Sequence, residues 1–128
     1  MTKLTIEIHY ATGNSFGRHD ETDQIGWEFD TLDEAKQALQ CIKEHHKFYH
    51  DLDSYEARRK GGRQAVIDRY KDRVWFDPEY PEQRFKFGDR YISTFWTGYF
   101  ESLHYAKIVF VENHLDPYSY YGSEVNHT

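Results

Sequence analysis

The chain has 128 residues, enough for one domain that buries roughly two-thirds of its unfolded surface. An aromatic content of 18% argues against a disordered chain, and a formal net charge of −6 disfavours direct binding to nucleic acid or to an anionic membrane. A single cysteine, Cys41, rules out an intramolecular disulfide and gives no sign of an oxidising compartment.

Met1-Thr-Lys-Leu-Thr-Ile-Glu alternates in polarity, so the start reads neither as a signal peptide nor as a membrane span. The alternation continues through residues 4–10, with Leu4, Ile6, Ile8 and Tyr10 on one side and Thr5, Glu7 and His9 on the other, which predicts a half-buried strand. Gly13-Asn14 supplies the backbone freedom for a turn. Residues 16–23 are polar and read as a loop or hairpin arm. Ile25, Trp27 and Phe29 alternate again and predict a second strand over 24–29.

Thr31-Leu-Asp-Glu34 is a capping box, in which the two side chains satisfy backbone donors at a helix start. A helix is expected over 31–50. Its apolar stripe at spacings of three and four runs through Leu32, Ala35, Leu39, Ile42, His46 and Tyr49. Cys41 inside this helix reads as an inert thiol. A shorter helical segment follows at about 53–71, divided by Gly61-Gly62 into two short helices or a helix and a loop. It carries Arg58, Arg59, Lys60 and Arg63, the concentrated positive charge of an acidic chain.

Val74-Trp-Phe-Asp-Pro-Glu-Tyr-Pro is an aromatic-flanked turn. Arg84 to Thr94 reads as a hairpin around a type II′ turn at Gly88-Asp89. Residues 91–111 concentrate seven aromatic side chains around Gly98 and are expected to form the centre of the sheet, with strands at 91–96 and 106–111 and a bend between them. Both faces of 106–111 are apolar, which predicts a central strand. The fold expected is α+β: a mainly antiparallel sheet of about four to six strands with the 31–50 helix on one face. One domain over 1–112 and a polar, tyrosine-rich tail over 113–128 complete it.

No segment has the residue types and spacing of a known catalytic or metal site. His46 and His50, four apart on the helix, can share a metal ion, but no third ligand accompanies them and no H-E-x-x-H pattern is present. They define one reading, a metal-dependent hydrolase using the His-rich helix. The clustered carboxylates Asp20, Glu21 and Asp23 sit on a loop or arm and suit solvation or an acidic contact surface better than acid–base catalysis. With the exposed tyrosines Tyr91, Tyr105, Tyr118, Tyr120 and Tyr121 they define a protein-binding surface. Arg58, Arg59 and Arg63 with Trp75 define instead a nucleotide pocket, the arginines holding phosphate and the indole stacking on a base. Such a pocket is expected between two copies of the chain, as a homodimer. Most of Trp27, Trp75, Phe85, Phe87, Phe95, Trp96, Tyr99 and Phe100 are expected in the core. No cofactor is expected.

Three stretches, Ile6-Glu-Ile-His-Tyr-Ala-Thr-Gly-Asn-Ser-Phe-Gly17, residues 32–49 and Ser93-Thr-Phe-Trp-Thr-Gly-Tyr-Phe-Glu-Ser-Leu103, resemble a group of small phage-encoded proteins of unassigned function. The resemblance spans most of 4–112 and is weakest over 51–83. Its motifs are structural, so no functional residue is carried over. It implies a phage origin, action in the host cell cytoplasm, and the role common to small acidic phage proteins without catalytic motifs, antagonism of host defence. The expected function is therefore a non-enzymatic binding protein that blocks a bacterial defence complex, such as a CRISPR effector, through its acidic, aromatic surface. The partner expected is a host protein with a basic, nucleic-acid-binding surface. A sponge for a nucleotide second messenger of a defence system is the alternative.

Overall fold

A computed structural model describes residues 3–117. Along the chain lie strands β1 (Leu4–Asn14) and β2 (Gly17–Gln24), helices α1 (Leu32–Leu52), α2 (Tyr55–Arg58) and α3 (Gly62–Tyr70), and strands β3 (Arg84–Phe87), β4 (Arg90–Ser93) and β5 (Ser102–Phe110). The class is α+β. The strands divide into an antiparallel three-stranded sheet, ordered β2-β1-β5, and a separate β3-β4 hairpin, rather than joining one larger sheet. Among the described residues, no helix is long and apolar enough to cross a membrane.

The apolar side of β1, Ile6, Ile8 and Tyr10, is buried against the helix layer, but the strand is not half-buried as expected. Thr5 and Glu7 on the other side are buried too, Thr5 donating to the Trp27 carbonyl and Glu7 lying beside Lys107 and His114. The polar 16–23 segment is the hairpin arm, pairing with β1 from Asn14↔Gly17 to Glu7↔Gln24. Residues 24–29 do not form the expected strand. The chain touches β1 at Ile25, whose N–H donates to the Ile6 carbonyl at 3.1 Å, and again at Phe29, which exchanges two hydrogen bonds with Leu4. Between these points Gly26, at φ +86°, lifts the backbone out of extended geometry.

Half of the capping box forms: Thr31 accepts from the Glu34 N–H at 3.1 Å, while the Glu34 carboxylate turns to Arg90 at 3.5 Å. The buried stripe of α1, however, is Ala35, Ala38, Ile42, His45, Phe48 and Leu52, one residue round from the stripe expected through Leu39, His46 and Tyr49. Both sets obey three-four spacing. What selects the observed one is an aromatic cluster contributed from elsewhere: the Phe48 ring lies 5.1 Å from Tyr70, 5.5 Å from Phe76 and 5.9 Å from Trp75. His45 packs among Phe48, Trp75 and Phe85. The following segment forms two short helices, α2 capped by the Ser54 hydroxyl and α3 beginning at the glycine pair.

The β3-β4 hairpin turns at Gly88-Asp89, flanked by the pair Phe87↔Arg90. Gly88 has φ +63°, and the sole positive-φ non-glycine residue among those described is His114, so only the first turn position is left-handed, as type II′ requires.

The 91–111 run does not form the centre of one sheet. Its first part belongs to the β3-β4 hairpin and its last part to β5, an edge strand beside β1. The buried end of β5, Ile108 to Phe110, is covered in part by the chain itself as it turns back: the Phe110 N–H donates to the Leu115 carbonyl at 2.8 Å. A returning turn does what a further strand was expected to do. Of the aromatics expected in the core, Trp75, Phe85 and Trp96 are buried, whereas Trp27 is partly exposed and Tyr99 almost fully so. Trp27 instead carries the Arg90 guanidinium over its ring and donates to the Tyr91 carbonyl.

Candidate functional site

The C-terminal half of α1, the start of α3 and the segment joining β4 to β5 enclose a cavity of about 610 Å³. Helical spacing brings His46, Tyr49, His50 and Asp53 to one wall, because they follow one another at three and four residues. Arg63 enters from the first turn of α3 and Arg18 from β2. The opposite wall is Trp96-Thr97-Gly98-Tyr99.

That wall is braced. The Thr94 and Thr97 hydroxyls both donate to the Glu82 carbonyl, at 2.9 and 3.1 Å, and the Thr94 N–H donates to the Gln83 carbonyl. Arg63 is fixed by the Glu82 carboxylate at 2.8 Å. Glu101 is held by the Thr12 hydroxyl at 2.6 Å. Arg18 has no ion-pair partner among the described residues.

Two buried polar atoms of the cavity residues have no hydrogen-bond partner among the described residues: Nε1 of Trp96 and Nδ1 of His46. Trp96 is 1% exposed, so its indole N–H cannot rely on bulk water. Buried polar atoms left unpaired cost roughly 1–3 kcal/mol each; both atoms are closed to solvent, as is Nδ1 of His45 in the core, so they do not by themselves mark a ligand site. Burial, and then the neighbouring His50, hold the His46 pKa below its ordinary value, which favours the neutral imidazole. The two imidazole planes lie 18° from parallel, with centroids 6.3 Å apart. Burial likewise raises the Tyr49 hydroxyl above its usual range, keeping it a donor. The cavity therefore offers the exposed ring of Tyr99, the partly buried Tyr49 and His46, and a fixed and an unpaired guanidinium, while Trp96 is as closed to a base as Trp75. Among the described residues no third ligand joins His46 and His50 within metal-binding distance.

The remaining sequence candidates are dispersed. Trp75 is 2% exposed and donates to Glu44 at 3.0 Å, so its ring faces are packed in the core and are not open for a base. Arg58 lies on the exposed surface 3.6 Å from Asp53, and Arg59 ends α2. Of the predicted nucleotide pocket, only Arg63 reaches the cavity. Tyr91 is half-exposed on β4 beneath the Arg84 guanidinium. Asp20 and Tyr105 share the open face of the three-stranded sheet, each beside a histidine. Glu21 is bonded to His19, and Asp23 accepts from the Tyr10 hydroxyl, whose pKa burial and that carboxylate raise to about 12. Tyr118, Tyr120 and Tyr121 lie outside the described residues.

Arg18, Trp96, Tyr99 and Glu101 were not singled out as pocket residues by sequence reasoning. The one local signal was Gly98, a residue without a side chain inside an aromatic run, and the Glu101 carboxylate takes the space beside it. No protein-family model, no curated protein and no solved structure matches the chain.

Proposed function

We propose that the protein is a non-enzymatic binding protein, phage-encoded, that antagonises a bacterial defence system by sequestering an anionic, ring-bearing small molecule of the nucleotide second-messenger class. The observation that carries this reading is the braced cavity of about 610 Å³, lined by Arg18, Arg63, Tyr49 and Tyr99. Its volume falls in the range of ligand pockets, roughly 300–1,000 Å³. Aromatic faces suit a base, and guanidinium groups suit a phosphate. The resemblance to small phage proteins supplies the biological context, with action in the host cell cytoplasm. The test is to incubate the full chain with a panel of cyclic mono-, di- and trinucleotides, wash, denature and recover the ligand. Intact recovery supports sequestration, and recovery as cleaved product favours an enzyme. No retention of any panel member at micromolar concentration sinks the small-molecule reading.

A second reading rests on a different observation. Strand β2 is an exposed sheet edge carrying Asp20, Glu21 and Asp23, and seven of its eight residues are exposed. An acidic edge fits a host protein with a basic, nucleic-acid-binding surface, such as a CRISPR effector, and charge pairing of that kind weakens steeply with salt. Capture from host lysate at low salt that recovers no defence protein counts against it.

A further inference from the structure

The open face of the three-stranded sheet holds a second constellation, distinct from the cavity. Thr5, Glu7 and His9 of β1 point to this side, opposite Ile6, Ile8 and Tyr10; the face is covered at Thr5 and Glu7 and opens at His9. On β2 the partner of His9 is Thr22, and Asp20 follows two residues along on the same face. On β5 the partner of His9 is Tyr105. His104, next to Tyr105, would point to the opposite face of a regular strand. A register shift intervenes: His9 pairs with Tyr105 but Tyr10 pairs with Leu103, leaving His104 as an extra, unpaired residue. This is a β-bulge, a device that re-aims a side chain, and it turns His104 onto the face of His9. The two imidazole centroids are 5.3 Å apart.

Three ligand atoms converge there. His104 Nε2 is 3.0 Å from one Asp20 carboxylate oxygen, and His9 Nε2 is 3.9 Å from the other. One donor atom from each of the three residues can be chosen so that all lie within 4.8 Å of one another. Ligands bound about 2.0–2.2 Å from a tetrahedral zinc ion sit about 3.3 Å apart, close to the 3.0 Å between His104 Nε2 and its Asp20 oxygen, so a small movement of His9 would complete the set. The supporting contacts suit a ligand role. Thr22 Oγ1 lies 2.8 Å from His9 Nδ1, so with Nδ1–H donating to the hydroxyl, the Nε2 lone pair is turned toward Asp20. The Tyr105 ring stacks on His9 at 4.9 Å and 17°, fixing the imidazole plane.

We propose that His9, Asp20 and His104 bind a divalent transition-metal ion of the zinc class. Two imidazoles and one carboxylate leave a fourth position open to water or to a donor from a bound molecule. Each ligand comes from a different strand, so the ion joins β2 and β5 across β1. Neither Mg²⁺ nor Ca²⁺ suits a nitrogen-rich set.

The experiment is titration of the EDTA-treated full chain with ZnCl₂ by calorimetry, alongside thermal unfolding with and without Zn²⁺. Binding of one Zn²⁺ per chain and a higher melting temperature with Zn²⁺ are expected, with no response to Mg²⁺. His104→Ala, His9→Ala and Asp20→Asn each lose binding while circular dichroism stays unchanged. Thr22→Val keeps all three ligands, and its affinity falls by about 10-fold because the His9 ring is no longer oriented. His46→Ala and His50→Ala bind as the parent does. Absence of Zn²⁺ binding at micromolar concentration overturns the proposal. So does binding that survives His104→Ala, or binding that disappears instead in His46→Ala.

Discussion

His45 and His46 are neighbours on one helix, yet they face two aromatic environments of opposite character. His45 sits fully buried among Phe48, Trp75 and Phe85, with its Nε2–H donating to the Pro81 carbonyl at 2.8 Å. His46, one residue on, looks into the cavity across from Trp96 and Tyr99. Composition does not separate the two regions, since both are histidine surrounded by rings. Closure does. In the core the rings occupy one another's faces, whereas across the cavity the Tyr99 ring is left 93% exposed. The difference teaches that an aromatic surplus marks a binding site only where the rings have not already been used to cover each other.

The contrast predicts effects of graded size. Phe48→Ala removes the ring at the centre of the core and should lower unfolding free energy by about 3–5 kcal/mol in urea titration, with nucleotide retention lost only as far as folding is lost. A loss below 1 kcal/mol would mean that the aromatic cluster is not the closed core described.

The next effect depends on pH. Burial drives the His45 pKa down to about 4 from 6.5, only partly offset by the bond to Pro81. Below pH 6.5 the unfolded chain takes up a proton at this position that the folded chain refuses, so stability falls as pH drops from 6.5 to 4 and this contribution levels off below that. The whole change is about 3 kcal/mol. His45→Leu should remove this part of the slope, measured by urea unfolding at several pH values, while His46→Leu should leave most of it.

On the cavity side, Tyr99→Ala should change stability by less than about 0.5 kcal/mol, yet weaken nucleotide retention by the equivalent of about 1–3 kcal/mol if its ring stacks on a base. Equal retention in the variant and the parent would remove Tyr99 from the site. Gly98→Val tests the same wall through the backbone. Its Cβ would meet the Glu101 carboxylate, which would have to leave the Thr12 hydroxyl, and Gly98 holds φ +156°, where a branched side chain is strained. Folding should survive at a cost of about 1–3 kcal/mol, with retention reduced because the wall beside Tyr99 shifts. Loss of folding would assign this glycine to the backbone path instead.

What was legible in the sequence was what neighbours along the chain decide. The Thr31 hydroxyl caps the helix start at Glu34, Gly88-Asp89 fixes its hairpin, and the apolar side of β1 needs only its own period, whereas the burial of Thr5 and Glu7 opposite it comes from other segments. What was illegible depends on residues distant in sequence. Which of two equally spaced stripes on α1 turns inward is settled by rings at 70, 75, 76 and 85. β5 can end at a sheet edge because residues 111–115 fold back against it. The cavity shares this character, since Arg18 and Trp96 meet there from positions separated by most of the chain. The carboxylates at 20, 21 and 23 form one cluster in sequence but point to alternate faces of β2, which sends Asp20 to His104 and Asp23 to Tyr10.

The register shift in β5 also bears on which changes of chain length the protein can tolerate. Deleting His104 would let Tyr105 and Leu103 become consecutive opposite His9 and Tyr10, closing the ladder with no other side chain changing face. A chain shorter by that one residue should therefore fold at least as readily as the full sequence. An insertion or deletion at any other position from Ala106 to Phe110 would instead exchange inward and outward side chains along the buried end of the strand. A length-scanning library of this segment should show one permissive position among intolerant ones.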